Sequence, residues 1–398
     1  MADAAEKAVK KKFWSSDQEA MVFLLLILIV IGTVNVFSAS FVLSEMDYGT
    51  PYHFLGRHGV NLVVGICCFI GCASFDYHKW RHFMPLILII TVAMLILVLF
   101  IGVSVNGAKR WLFFIQPAEV AKLVSTMIIA AYISSRLQAR RGVNIFNRQI
   151  FIIGIIAVLI ELEPDAGTMA IVIGIPLMMM MIGGLSGKKI AALFLLMAIG
   201  FVGIVHLQPY RIARMSVLLD PWADAQNIGY QTVRAISAIG SGGMFGMGIG
   251  RGVSKYDYLP EAHTDFAFAV FGQETGFIGV LILLGVYSLF LIYGVRIASK
   301  ARDLYGEILG IGLVQLIGVQ AAVNLLMVCG LAPVVGVPLP FISYGGTSLV
   351  ISLAACGILF NIGSQSSRWR RLKALHDHRI KVRNDDREER RKRLHLVK

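Results

Sequence analysis

Apolar residues run along this chain in long, nearly unbroken stretches, with polar residues gathered in short interruptions between them. A bilayer-crossing helix needs about 20 mostly apolar residues. Windows of that kind predict ten spans, near 19–42, 54–75, 82–103, 117–137, 148–162, 165–184, 189–207, 264–295, 305–329 and 340–363. The expected fold is all-α: a polytopic membrane protein of about ten transmembrane helices with one large extracytoplasmic loop, 206–263. Residues 1–18 form a cytoplasmic N-terminal segment, 19–364 the membrane domain and 365–398 a basic tail. The first span follows Lys10, Lys11 and Lys12 and is too long for a signal-peptide core, so it is read as retained.

Basic residues in short loops mark the cytoplasmic side. With ten spans, Lys7 to Lys12, Lys79/Arg81, Arg136/Arg140/Arg141/Arg148, Lys188/Lys189, Arg296/Lys300/Arg302 and the tail share one side, so both termini are cytoplasmic. Composition agrees: 57% of the 398 residues are hydrophobic and 15% charged, which excludes an ordinary soluble enzyme. Of the net charge of +13, residues 365–398 carry most, with 13 Lys or Arg against 5 Asp or Glu. That tail has little apolar periodicity and reads as a partly disordered or membrane-surface segment that contacts anionic lipids; nucleic acid is not its partner. The five cysteines lie in apolar runs without CxxC spacing, so neither a disulfide framework nor a zinc site is indicated.

An ionisable residue within hydrocarbon is costly and marks a site by default. Glu119 and Lys122, three apart at the start of the fourth span, share a helix face, as a structural ion pair or a functional one. Lys109, Arg110 and Trp111 stand in a short loop on the outer side, where basic residues are disfavoured, either as interfacial anchors or as a clamp for an anionic headgroup. Pro164 breaks Glu163-Pro164-Asp165, and Asp165 is placed to cap the next helix.

The outer loop holds Arg211, Arg214, and Ile228, Val233, Ile236 and Ile239 at near-helical spacing, which suits a surface-lying amphipathic helix. The glycine-rich stretch 242–252 does not match a nucleotide cradle and suits flexibility or close backbone approach to a ligand. In Leu259-Pro260-Glu261-Ala262-His263-Thr264-Asp265, Thr264 can cap the eighth span and Asp265 falls in its first turn, so capping competes with catalysis there. Glu274, half a rotation away on a continuous helix, cannot pair with it as a two-acid site. Residues 338–348, with two prolines, two glycines and Ser343, look like irregular backbone at membrane depth.

Together Lys109-Arg110-Trp111 with Gln116-Pro117-Ala118-Glu119 and Lys122, Glu163 through Thr168, Leu259 through Phe266, and Leu339 through Ser348 resemble the SEDS (shape, elongation, division and sporulation) proteins over about 14–364. Asp220-Pro221-Trp222 and Gly229-Tyr230-Gln231 look more like the FtsW-type division branch than the RodA-type elongation branch. The chain departs from the family's commonest pattern at Ala118, Glu163 and Gln273. The resemblance implies a peptidoglycan glycosyltransferase that polymerises lipid II into β-1,4 strands at the outer face of the membrane, at the division septum. It implies Asp265 as general base. Lys109, Arg110, Trp111, Lys122, Arg211, Arg214, Lys255, His263 and Ser343 would bind substrate, supported by Glu119, Asp165, Glu261 and Glu274. A divalent cation, Mg or Mn, is compatible with a pyrophosphate leaving group. The implied partners are a class B penicillin-binding protein and other membrane proteins of the divisome. A lipid II flippase is the competing reading.

Overall fold

The computed structural model describes residues 14, 16–105, 108–189, 191, 192, 195, 200, 218, 220–256 and 259–396. Helices dominate: α1 (Asp17–Tyr48), α2 (His53–Ser74), α3 (Tyr77–Ile101), α4 (Pro117–Gln138), α5 (Arg148–Leu162), α6 (Ala166–Ile182), α7 (Tyr230–Ser241), α8 (Ala267–Ser299), α9 (Leu304–Val328) and α10 (Gly346–Leu396). A small antiparallel hairpin, β1 (Val103–Val105) and β2 (Ala108–Trp111), joins α3 to α4. Among the described residues, seven helices are long and apolar enough to cross a membrane, with α6 a shorter apolar one and α5 only 15 residues long. Nine of the ten expected spans are thus matched by helices, and the expected seventh, 189–207, lies mostly outside the described residues.

Burial sorts these helices into core and periphery. In α4 the small and polar residues Ser125, Thr126 and Ser134 are buried beside Ala121, Ile129 and Ile133, so the helix is enclosed by α3, α6, α9 and α10. By contrast α2 turns Val60, Val63, Val64 and Ile70 outward, the arrangement of a lipid-facing helix in a protein whose solvent is hydrocarbon.

Three local expectations change. The residues of the presumed surface helix form α7, but Val233, Ala235 and Ala238 are buried against α8 and α9, so it is docked on protein. The tail is helical: α10 runs unbroken from Gly346 to Leu396. Its sequence past Gly363 lacks Gly and Pro and is rich in Arg, Lys, Leu and Glu, all favourable helix formers. The glycine-rich stretch approaches protein. α8 breaks at Gly276 (φ 67°, ψ −171°), and the freed backbone is taken up by the 243–248 loop: Met247 N donates to Gln273 O, Gly248 N to Glu274 O and Phe277 N to Gly243 O, all within 3.0 Å. A Cβ on Gly246 would stand 2.1 Å from Glu274 O, and one on Gly276 would stand 2.3 Å from Gly246 N, so glycine is required on both sides of the contact.

Candidate active site

Four irregular segments converge at one end of the bundle: the β2 strand with 112–116, the α5–α6 turn at 163–165, the segment 259–266 before α8, and 330–345 between α9 and α10. Asp265 lies among them. The expected capping role is corrected: α8 begins at Ala267, and its N-cap, Phe266, makes no side-chain cap bond. Thr264 Oγ1 donates instead to Glu261 Oε2 at 2.6 Å, in a tight turn where Glu261 adopts φ 54° and its carbonyl accepts from Thr264 N and Phe266 N. Asp265 is thereby released from helix duty. Its backbone carbonyl is held by Asn324 Nδ2 at 2.8 Å, which also donates to Val337 O at 2.7 Å and ties the two site loops to α9.

Among the described residues, Arg110 is the cation that opposes the Asp265 carboxylate. Its guanidinium donates to the backbone carbonyls of Glu163 and Pro164, which fixes β2 onto the α5–α6 turn. Gly336 (φ 65°) sits between Asp265 and Arg110: a Cβ there would lie 3.4 Å from Asp265 Oδ2 and 3.9 Å from Arg110 Nη1. Asp165 caps α6 as expected, accepting from Thr168 N at 3.1 Å, and accepts from Gln116 Nε2 on its other oxygen. Glu163 is 1% exposed, and neither of its carboxylate oxygens has a hydrogen-bond partner.

Among the described residues, the carboxylates at this end therefore outnumber the guanidinium facing them. Burial, then the charges of Glu261 and Asp165, push the Asp265 carboxyl up to about 7, with Arg110 opposing. Burial and Asp165 push Glu163 up to about 8, again against Arg110. Half-buried His263 packs its ring 4.8 Å from Phe54 and 5.7 Å from Tyr344, and burial lowers its pKa, favouring the neutral imidazole.

The remaining expected residues fall into distinct groups. Lys109 is exposed and Trp111 half-buried on β2, both at the site. Lys122 and Lys255 are not available as pyrophosphate ligands, because each has a buried partner. Lys122 Nζ donates to Glu119 Oε1 at 2.7 Å and Gln320 Oε1 at 2.6 Å. Lys255 Nζ donates to Glu274 Oε1 at 3.0 Å, on a carboxylate that also accepts from Ser38 Oγ at 2.7 Å. Glu119 and Glu274 thus each hold a buried lysine. Ser343, expected at the substrate, is buried, with its hydroxyl accepting from Leu339 N at 3.0 Å. It is a turn residue, since closing 339–343 demands an acceptor for that amide. Arg211 and Arg214 lie outside the described residues.

Reading by charge alone missed Gln320, Asn324 and Gly336. The first two carried a signal: two amides four apart in an apolar span, hence on one face. Gln320 Nε2 donates to Pro338 O and Ser348 Oγ, so it braces the same loop as Asn324. Gly336 carried no signal, because its importance lies in what folds against it. Among the described residues no three His, Cys, Asp or Glu side chains are grouped to hold a metal.

A family model described as "Cell cycle protein", FTSW_RODA_SPOVE, matches residues 18–368. Stage V sporulation protein E of Bacillus subtilis is 36% identical over 359 residues, covering 88% of this chain and 97% of the relative. The probable peptidoglycan glycosyltransferase FtsW of Shewanella sediminis is 37% identical over 385 residues, covering 93% and 91%. Among solved structures, a chain from work on structural coordination of polymerization and crosslinking by a peptidoglycan synthase complex superposes with a TM-score of 0.71 at 26% identity, over 89% of this chain and 99% of that one. The rod shape determining protein RodA of Thermus thermophilus gives 0.63 at 25%, over 89% and 98%.

Proposed function

Since this chain belongs to the FtsW/RodA/SpoVE family and is, with its relatives, a peptidoglycan glycosyltransferase, we propose that it polymerises lipid II with Asp265 as the general base. The Asp265 carboxylate takes the proton of the acceptor GlcNAc 4-hydroxyl as that oxygen attacks the anomeric carbon of the donor MurNAc. The bond from that carbon to the pyrophosphate breaks, the undecaprenyl pyrophosphate leaves with the electron pair, and the α linkage becomes β by inversion. A base near pH 7 is matched to this task. Arg110, with Lys109 at its edge, faces the charge that grows on the leaving group.

The observation that carries this reading is the position of Asp265: freed from the helix start, half-buried, and set against Arg110 across Gly336. The site end would face outward, with both termini cytoplasmic, and the protein would act at the division septum with a class B penicillin-binding protein and other divisome proteins, its tail against anionic lipid. Resemblance to stage V sporulation protein E and FtsW alike supports the division and sporulation side of the family over elongation. The groups that favoured lipid translocation, Glu119, Lys122 and Glu274, are buried and bonded to partners, so nothing in their geometry favours a flippase.

The test is polymerisation of labelled lipid II by purified protein in liposomes, with and without the cognate transpeptidase, for wild type and Asp265→Asn. Strands from wild type and none from a folded, partner-binding variant are expected. Full activity of Asp265→Asn would remove the base, and leaflet exchange of lipid II without strands would replace the enzyme by a flippase.

A further inference from the structure

A cavity of about 330 Å³ opens beside the site, between the N-terminal turn of α7 and the segments that precede Asp265 and Gly336. Its walls include Asn227, Tyr230, Gln231 and Thr232 on one side and Pro260 and Val334 on the other. Pro260 lies five residues before Asp265, and Val334 two before Gly336, so two walls of the cavity are continuous with the backbone that carries the base and its neighbour. Its size is at the lower end of the range for small-ligand pockets, ~300–1,000 Å³.

Its chemistry differs from that of the site proper. Among the described residues that line it there is no Asp, Glu, Lys, Arg or His, whereas Asp265, Glu261, Asp165, Glu163 and Arg110 crowd the adjoining space. Two amides, two hydroxyl-bearing side chains and apolar Pro and Val surfaces suit a neutral ligand with hydroxyl and amide groups and a small methyl. Among those described residues a pyrophosphate finds no cation and a peptide carboxylate no counter-charge.

The geometry points to this cavity as the subsite for the acceptor sugar, an uncharged N-acetylated hexose ring whose free hydroxyl is delivered to Asp265. The inference rests on the glycosyltransferase reading and adds the place where one of its two substrates is recognised. The acceptor ring matches because it bears an acetamido group and hydroxyls but neither pyrophosphate nor peptide. The donor ring carries both. Asn227 and Gln231 are positioning residues: they hold the ring, and the base acts on it.

The experiment uses full-length protein with its transpeptidase partner in liposomes. A lipid II analogue lacking the GlcNAc 4-hydroxyl serves as saturating donor, and ordinary lipid II is varied as acceptor. Asn227→Ala and Gln231→Ala are expected to raise the acceptor KM at least fivefold with kcat within twofold, and Ala332→Phe, which fills the cavity, to do so more strongly. An unchanged acceptor KM in all three overturns the proposal. In the same assay Asp265→Asn reports on kcat alone, so retained turnover in that variant defeats the base without touching the subsite. A second measurement covers variants that do not fold: wild type is irradiated with lipid II bearing a diazirine on the GlcNAc acetamide. Label in 227–232, 259–264 or 330–335 is the expected result, and label confined to other segments overturns the assignment.

Discussion

Two kinds of charged cluster stand near one another in this bundle, and they are built on opposite terms. In Glu119–Lys122–Gln320 and Ser38–Lys255–Glu274 each charge meets its opposite within 3.0 Å and neutral groups complete the bonding. Around Asp265, by contrast, Glu261, Asp165 and Glu163 share the field of Arg110, and the Glu163 carboxylate has no hydrogen-bond partner. The closed clusters fasten helices and loops together. The open one stores affinity for whatever supplies a proton or positive charge to its carboxylates. Residue type does not separate them, since both contain a carboxylate and a cation; balance does.

The comparison is sharpest at the two central carboxylates. Asp265→Asn should lose roughly 10²–10⁴-fold in polymerisation rate while keeping its fold, measured by strand length on gels beside thermal unfolding in detergent. A closed cluster should behave the other way. Lys122→Met strands a buried Glu119 and is expected to cost ~3–5 kcal/mol of stability, and the double variant Glu119→Gln/Lys122→Met should regain most of it. A single variant as stable as wild type would show that the closed cluster is not holding the bundle.

Glu163 tests the open cluster through stability. With its pKa lifted from 4.5 to about 8, the folded state keeps a proton that the unfolded chain releases between those values. Stability therefore falls as pH rises through this window and levels off above about 8. Glu163→Gln has no such proton to lose, so its advantage in unfolding free energy should grow from pH 5 to pH 8, by an amount on the order of a few kcal/mol at most, read by denaturant unfolding at each pH. A pH-independent difference would mean that Arg110 neutralises Glu163 in full. For catalysis, kcat/KM should rise with pH and bend over near 7, because the base must be deprotonated. The smallest effect belongs to Lys109→Ala: an exposed cation, it should change KM about two- to fivefold and lose that influence in high salt.

Much of this architecture was legible because hydrocarbon imposes a simple rule on sequence: long apolar runs became helices, and Glu119, Lys122 and Asp165 did what their spacing required. Long-range contacts decided the rest. The expectation that Thr264 caps α8 failed because the helix starts only at Ala267, with Phe266 at its N-cap, while Thr264 belongs to the turn that Glu261 begins. Lys255 looked like a free cation since its partner, Glu274, is 19 residues away in the first turns of α8, a pairing that no local pattern announced. The tail looked irregular because amphipathic periodicity was the signal sought, whereas its charged residues favour a helix without any apolar face.

That tail gives the molecule a ruler. At ~1.5 Å per residue, α10 is ~75 Å long, of which the apolar part, Gly346–Arg370, accounts for about half. The other half, ~40 Å, continues beyond it without a joint. A protein that grips the far end would feel any tilt of the membrane segment as a displacement there. Because α10 begins at Gly346, directly after the loop braced by Gln320 and Asn324, one continuous helix connects the wall of the candidate site to Leu396.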